Sequence, residues 1–431
     1  MSAAFLALLA FGLLPLFALA VAASLRWPQG VLYVVGGFAL AAWEFPSIPT
    51  LFNLGSLQVK PEDVVVSVAM CSVAMRPAKL LGLTRAYTPI MLLIVVSVAA
   101  SLANGVAQFG PAALNEFRGF MWPIGLTAWM LNQDWTGDLW LTSFYRWSRV
   151  MGLFLSAILV VHAAFYGFGS ANSFVLNSSG VEQTGRPLVS SQALMLATAG
   201  FLEFRAKKYQ GNIWMGGLFI VLSFVCQHRS VWAALGVAVM VISLRLRGVA
   251  LARVVVSSFY AAAIGLGLWA SGAFDNVIAT LELSATSSGT YDARVDTWQQ
   301  LVDDSVERGV GSVVFGEPFG FGYDRYDKGR LLTFAPHNWY VSVYLRLGLI
   351  GIALYLVLLA IILVKLVRSE QLVSVLVFVA VIVYSWSYSL SWYLAPALGF
   401  AMAMAMGIRR MGPVPPPDCP NLPSVRITHL M

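Results

Sequence analysis

The sequence predicts an all-α polytopic integral membrane protein of about 12 transmembrane helices, with one long periplasmic loop containing an amphipathic helix. Three observations carry this expectation. Of 431 residues, 59% are hydrophobic and only 11% charged, where soluble domains carry roughly 25% charge. Apolar runs recur at close to the length that a bilayer demands, about 20 residues per helix. A single stretch, 273 to 336, interrupts them with 64 residues that hold ten of the twenty acidic residues. The formal charge of +7 does not indicate nucleic acid, because the 27 Lys and Arg are scattered between apolar runs, where they act as topology signals.

Taken in order, candidate spans run near 3–24, 31–45, 63–75, 88–108, 116–131, 150–168, 187–204, 213–227, 231–244, 252–272, 338–364, 372–388 and 391–408. The first has no basic residue ahead of its apolar run, which argues for a retained span and against a cleaved signal peptide. The runs 63–75 and 231–244 are short for a straight crossing and read as tilted or re-entrant. Arg205, Lys207 and Lys208, then Arg245, Arg247 and Arg253, then Lys365 and Arg368, then Arg409 and Arg410 mark alternate connections as cytoplasmic. The stretches 169–186, Gln227 to Ser230, 273–336 and Ser389 to Ser391 then fall on the periplasmic side. The chain divides accordingly into N-terminal helices (1–272), the large periplasmic loop (273–336), C-terminal helices (337–410) and a cytoplasmic tail (411–431) whose six prolines between Pro413 and Pro423 preclude regular structure.

Loops this long with their own structure are usually functional. Val295, Trp298, Leu301, Val302 and Val306 recur at helical spacing behind Ser288, Thr290 and Asp292 as N-caps, so an amphipathic helix is expected to lie on the membrane surface. The glycines at 309, 311, 316, 320 and 322 predict a turning, irregular return to Pro336.

Three residues stand out for chemistry. His337 opens the span after the loop, where an imidazole titrating near neutrality can take a proton from a hydroxyl; it also fits an interfacial histidine beside the belt aromatics Trp339 and Tyr340. Arg229, in Gln227-His228-Arg229-Ser230, sits at the tip of a tight helical hairpin, where a guanidinium fork matches phosphate oxygens or snorkels from a helix end. Arg294 stands at the start of the loop helix, suited to an anion at a helix N-terminus or to an ion pair with Asp292 or Asp296. Cys71, Cys226 and Cys419 form no framework, and no His/Cys cluster or calcium-loop spacing predicts a metal. The loop glycines lack the Gly-Lys-Ser/Thr ending of a nucleotide-binding loop, and no cofactor is predicted.

The stretch His337-Asn338, nine residues, then Gly348-Leu349-Ile350-Gly351 resembles the His-Asn/Ser/Gln, nine-residue gap, Gly-x-x-Gly/Thr/Tyr signature of the bacterial O-antigen ligases. The Arg229 motif and Arg294-x-x-x-Trp298 followed by Gly320-x-Gly322 resemble, in order, two further motifs of the wider ligase and polymerase superfamily. The resemblance covers roughly 190 to 365. It implies inverting, metal-independent glycan transfer from undecaprenyl pyrophosphate at the periplasmic face of the bacterial inner membrane. His337 would then serve as base, Arg229 and Arg294 would hold the pyrophosphate, and Asn338, Trp298 and Ser230 would support the substrate pocket. The acceptor would be lipid A-core for a ligase, or another lipid-linked glycan for an O-antigen or exopolysaccharide polymerase. His228 and Ser230 replace the family's common Ser-Arg-Gly flanks, and Arg346 stands where an acid is common. A non-catalytic polysaccharide exporter, with the loop as a gate, is the alternative from a different class.

Overall fold

The computed structural model describes residues 3–44, 49–76, 87–135, 138–167, 174–176, 182–205, 210–244, 282, 289–327, 329–368 and 371–406. The expected span 252–272, the start of the large loop, the proline-rich tail and Cys419 fall outside the described residues. The helices are α1 (Ala3–Arg26), α2 (Gln29–Ala41), α3 (Pro61–Ala74), α4 (Thr88–Phe109), α5 (Pro111–Leu131), α6 (Asp138–Tyr166), α7 (Ser190–Glu203), α8 (Ile213–Val225), α9 (Arg229–Ser243), α10 (Gly289–Glu307), α11 (Val310–Phe315), α12 (Trp339–Arg368), α13 (Leu372–Tyr384) and α14 (Ala395–Ala405).

The chain is mostly helical because its long apolar runs can satisfy their backbone groups only internally once they leave water. Helices α4, α6 and α12 are long and apolar enough to cross a membrane. The α1–α2 pair, bent by 109°, makes a fourth crossing if counted as one broken span. The sequence treats that pair as two spans. The bend falls at Trp27-Pro28, where proline removes the N–H that would continue α1. Helices α8, α9, α13 and α14 are apolar but only 11 to 15 residues long. At 1.5 Å per residue they reach about 16 to 22 Å, short of a hydrocarbon core of about 30 Å, so the expected count of about 12 exceeds what helix length by itself supports.

Every residue of α7 and of α14 is buried, and α13 nearly so. The outer helices do the reverse: α4 buries only Gly105 and exposes Leu92, Leu93, Val95 and Val96. A soluble chain rarely presents contiguous apolar surface of this kind.

The fold is not purely helical. Among the described residues three antiparallel hairpins pair β1 (Phe52–Leu54) with β2 (Leu57–Val59), β3 (Phe174–Leu176) with β4 (Glu182–Thr184), and β5 (Arg325–Asp327) with β6 (Arg330–Leu332). Three-residue strands are too short for an alternating pattern to register in sequence. The loop helix forms as expected, as α10, and its apolar stripe is divided between the interior and the surface. Trp298 and Leu301 are buried in the protein, Leu301 with Tyr323 and Leu345, while Val295 and Val306 face outward.

The glycine-rich run departs further from expectation, because it contains α11. Gly309 and Gly316, with φ of 105° and 80°, bracket that helix. It wedges against a break in α12 at Gly348, whose φ of 64° and ψ of −166° belong to a region open essentially to glycine only. The Glu317 N–H donates to the Leu345 carbonyl at 2.7 Å, satisfying a group that the break releases. A Cβ on Gly348 would stand 2.2 Å from the Val314 carbonyl oxygen. Gly348→Ala should therefore cost at least the about 1–3 kcal/mol of backbone strain, read as a lower melting temperature in detergent; an unchanged value would show that the wedge can shift.

A buried ion pair ties the N-terminal half to this loop. Glu116 on α5 accepts from Arg346 Nε and from the Gly320 N–H at 2.8 Å. Arg346, 1% exposed, also donates to the Gly322 carbonyl at 2.5 Å and stacks 4.2 Å from the Tyr323 ring. Gly320-x-Gly322 is thus used here to approach a carboxylate. Glu116→Ala should destabilise the protein by about 3–5 kcal/mol because it strands a buried guanidinium. Adding Arg346→Met should recover part of the lost melting temperature, whereas additive losses would rule out the pairing.

Candidate functional site

Five chain segments meet at one end of the helices. Ser190 at the start of α7 bonds the Tyr384 hydroxyl at the end of α13 (2.8 Å), and the Trp339 N–H at the start of α12 donates to the Ser385 carbonyl (2.9 Å). His228, which precedes α9, contacts the Leu188 carbonyl at 2.8 Å. From α10, Arg294 donates to the Ser387 carbonyl at 3.1 Å and to the Tyr388 hydroxyl at 3.4 Å, with its guanidinium 4.7 Å from the Tyr388 ring centre. The N-termini of α7, α9 and α12 therefore open on this end, and each contributes a partial positive charge.

His337 stands beside this junction, its ring between Phe334 (5.6 Å) and Tyr388 (5.9 Å). One edge stays open to the surface, and among the described residues neither ring nitrogen has a hydrogen-bond partner. Partial burial, then the cations Arg294 and Arg325, push its pKa down to about 4. The imidazole is neutral at pH 7 and free to accept a proton. Neither Asp292 nor Asp296 pairs with Arg294, so the ion-pair alternative for this residue is not realised.

The structure adds Arg186, which sequence reading missed. Its Nη1 lies 3.2 Å from His228 Nδ1, and its Nε is buried with no hydrogen-bond partner among the described residues. Burial pulls its pKa down, with Tyr388 opposing and the charges of Arg229 and Arg294 adding to the fall. Arg229 and Arg294 thus each lie within electrostatic reach of Arg186. The same end holds Arg325, which donates to the Tyr323 and Phe334 carbonyls (2.9 and 2.7 Å) and has a buried Nε without a partner among the described residues. Tyr388 is a second addition. Burial would raise its pKa, but the adjoining Arg294 guanidinium outweighs it and the net shift is downward.

The supporting residues divide. Asn338 caps α12: its Oδ1 accepts from the Tyr340 and Val341 N–H groups at 2.9 and 3.1 Å. Its buried Nδ2 has no partner among the described residues. Trp298 packs against Trp386 at the end of α13, with ring centres 6.3 Å apart. Ser230 is half-buried on the first turn of α9.

No family model and no curated protein matches the chain. The chemistry must therefore be argued from the site. Donors buried without acceptors among the described residues (Arg186 Nε, Arg325 Nε and Asn338 Nδ2) suit a ligand rich in acceptor oxygens. Clustered guanidiniums call for one with negative charge. Trp339, next after Asn338, also helps line an apolar cavity of about 160 Å³ between α4, α5, α12 and α14, with Met91, Val98, Phe120 and Leu358 among its walls.

Proposed function

We propose that this protein is a membrane glycosyltransferase that moves a glycan from a polyprenyl-pyrophosphate donor, undecaprenyl pyrophosphate in a bacterial inner membrane, to a hydroxyl acceptor at the periplasmic face. The observation that carries the reading is the convergence of arginines from separate segments: Arg229 and Arg294 lie within electrostatic reach of Arg186, and Arg294 and Arg325 in turn lie within reach of a neutral histidine whose nitrogens have no partner among the described residues. The nearby apolar cavity supports a lipid-linked donor.

In this reaction His337 takes the proton of the acceptor hydroxyl as its oxygen bonds to the anomeric carbon. The bond from that carbon to the pyrophosphate oxygen breaks, and its electron pair leaves on the pyrophosphate. Charge grows on the leaving group during the transfer, where the guanidiniums and unpaired donors stabilise it more strongly than in the ground state. Attack opposite the leaving group inverts the configuration. No step requires a metal or cofactor.

The favoured acceptor is the lipid A-core hydroxyl of an O-antigen ligase, on the strength of the His337 to Gly351 signature. A lipopolysaccharide gel of a deletion strain complemented with wild type or His337→Ala, both verified in the membrane, tests it. Loss of every band above the core under His337→Ala means ligase. A surviving core-plus-one-unit band without a ladder means polymerase, and an unchanged pattern would exclude both O-antigen roles.

The site also fixes a pH signature. His337 must be neutral to act as a base, so kcat/KM, which reports the free enzyme, should fall only as pH drops through about 4. Bound pyrophosphate offsets the positive charge of Arg294 and raises the imidazole pKa toward its ordinary value of about 6.5. The acid limb of kcat should then lie at higher pH than that of kcat/KM. Coincident limbs would remove His337 from the proton transfer.

A further inference from the structure

His228 makes two contacts that together fix its protonation. An arginine only donates hydrogen bonds, so the 3.2 Å approach of Arg186 Nη1 requires a lone pair on His228 Nδ1. The proton then sits on Nε2, which donates to the Leu188 carbonyl at 2.8 Å. A doubly protonated ring would turn an N–H toward a guanidinium. Burial, then Arg186, oppose that form and hold the pKa at about 3.

The backbone is spent on this arrangement. Gln227, immediately before, has a φ of 61°, one of two positive values among the described non-glycine residues. Strain of this kind persists where the surroundings enforce it and clusters at functional sites. It turns the His228 side chain inward to 5% exposure at the base of α9. The Arg186 backbone is held separately, its carbonyl accepting from Trp43 Nε1 at 3.0 Å. The contact with His228 commits Nη1 of Arg186, while its buried Nε has no partner among the described residues.

We propose that His228 is a positioning residue: its Nδ1 lone pair aims the Arg186 guanidinium so that the remaining donors face the diphosphate of the donor lipid. The inference rests on Arg186 as an anion-binding residue of the proposed transferase. It also gives the His228-Arg229 dipeptide two functions, with the first residue orienting one arginine and the second supplying another.

Two conservative substitutions separate the two hydrogen bonds of His228. His228→Asn places an acceptor oxygen near the Nδ1 position and keeps the contact to Arg186. His228→Gln reaches the Nε2 position and keeps the contact to Leu188. The probe is farnesyl pyrophosphate binding to the purified full-length protein in detergent, with farnesol as the uncharged control and the melting temperature of each variant recorded. His228→Gln should bind farnesyl pyrophosphate roughly tenfold more weakly than wild type, with His228→Asn within about threefold of it and farnesol unchanged throughout. A merely structural histidine, needed for its tie to Leu188, would reverse that order. Equal affinities for the two variants, or Gln binding better than Asn, would overturn the proposal while leaving the transferase reading intact. Wild-type protein that does not prefer farnesyl pyrophosphate to farnesol would overturn the anion site itself, and the role of His228 with it.

Discussion

His337→Ala should lower the turnover of a polyprenyl-pyrophosphate glycan donor by about 10²- to 10⁴-fold, the usual contribution of a positioned general base, and leave donor binding close to wild type. Among the described residues the side chain reaches no other residue through its nitrogens, and its ring stacks only with Phe334 and Tyr388. Truncation therefore opens a gap at a partly exposed position without stranding a buried polar group, and the fold should survive. Steady-state kinetics on purified protein, with folding checked by melting temperature, reads the result. A variant that turns over donor at the wild-type rate would exclude general-base catalysis by His337.

Arg186→Gln should act on the other side of the reaction, raising the KM for the same donor by about 10- to 100-fold. A charge-assisted hydrogen bond to a buried partner contributes about 1.5–3 kcal/mol, and this variant removes both the charge and the fork. Arg186→Lys should fall between, since it restores charge but not the paired donors that a phosphate accepts. The two arginine substitutions and His337→Ala thus separate binding from chemistry. If Arg186→Gln leaves KM unchanged, the unpaired Nε faces no anion and Arg186 only holds His228 in place.

Much of the site was legible before any coordinates. Arg229 was marked by its place at a hairpin tip between apolar runs, Arg294 by its place at the head of a loop helix, and His337 by its place at the start of a span. Arg186 left a weaker signal: it is the only Lys or Arg in 150–204, in a polar stretch that reads as a connector. Its importance comes from His228, 42 residues away, and such a contact has no periodicity to reveal it. Tyr388 was hidden in the same way, 94 residues from the arginine it contacts. Arg346 looked like a misplaced charge until Glu116, 230 residues earlier, supplied its counter-ion.

The sequence by itself determined a helical, strongly apolar chain, the acidic loop, and an amphipathic helix in that loop carrying Trp298 and Leu301 on its apolar stripe. These follow from local rules, since backbone hydrogen bonding and the helical repeat act within a few residues of each other. Only the tertiary structure decided that α11 wedges into α12 at Gly348, that Trp298 and Leu301 of α10 turn onto protein, that Arg229 and Arg294 lie within reach of Arg186, and that Arg294 and Arg325 lie within reach of His337. Those outcomes depend on which faces of distant segments pack together, and on the paired charges and unpaired donors that only the packed interior brings together.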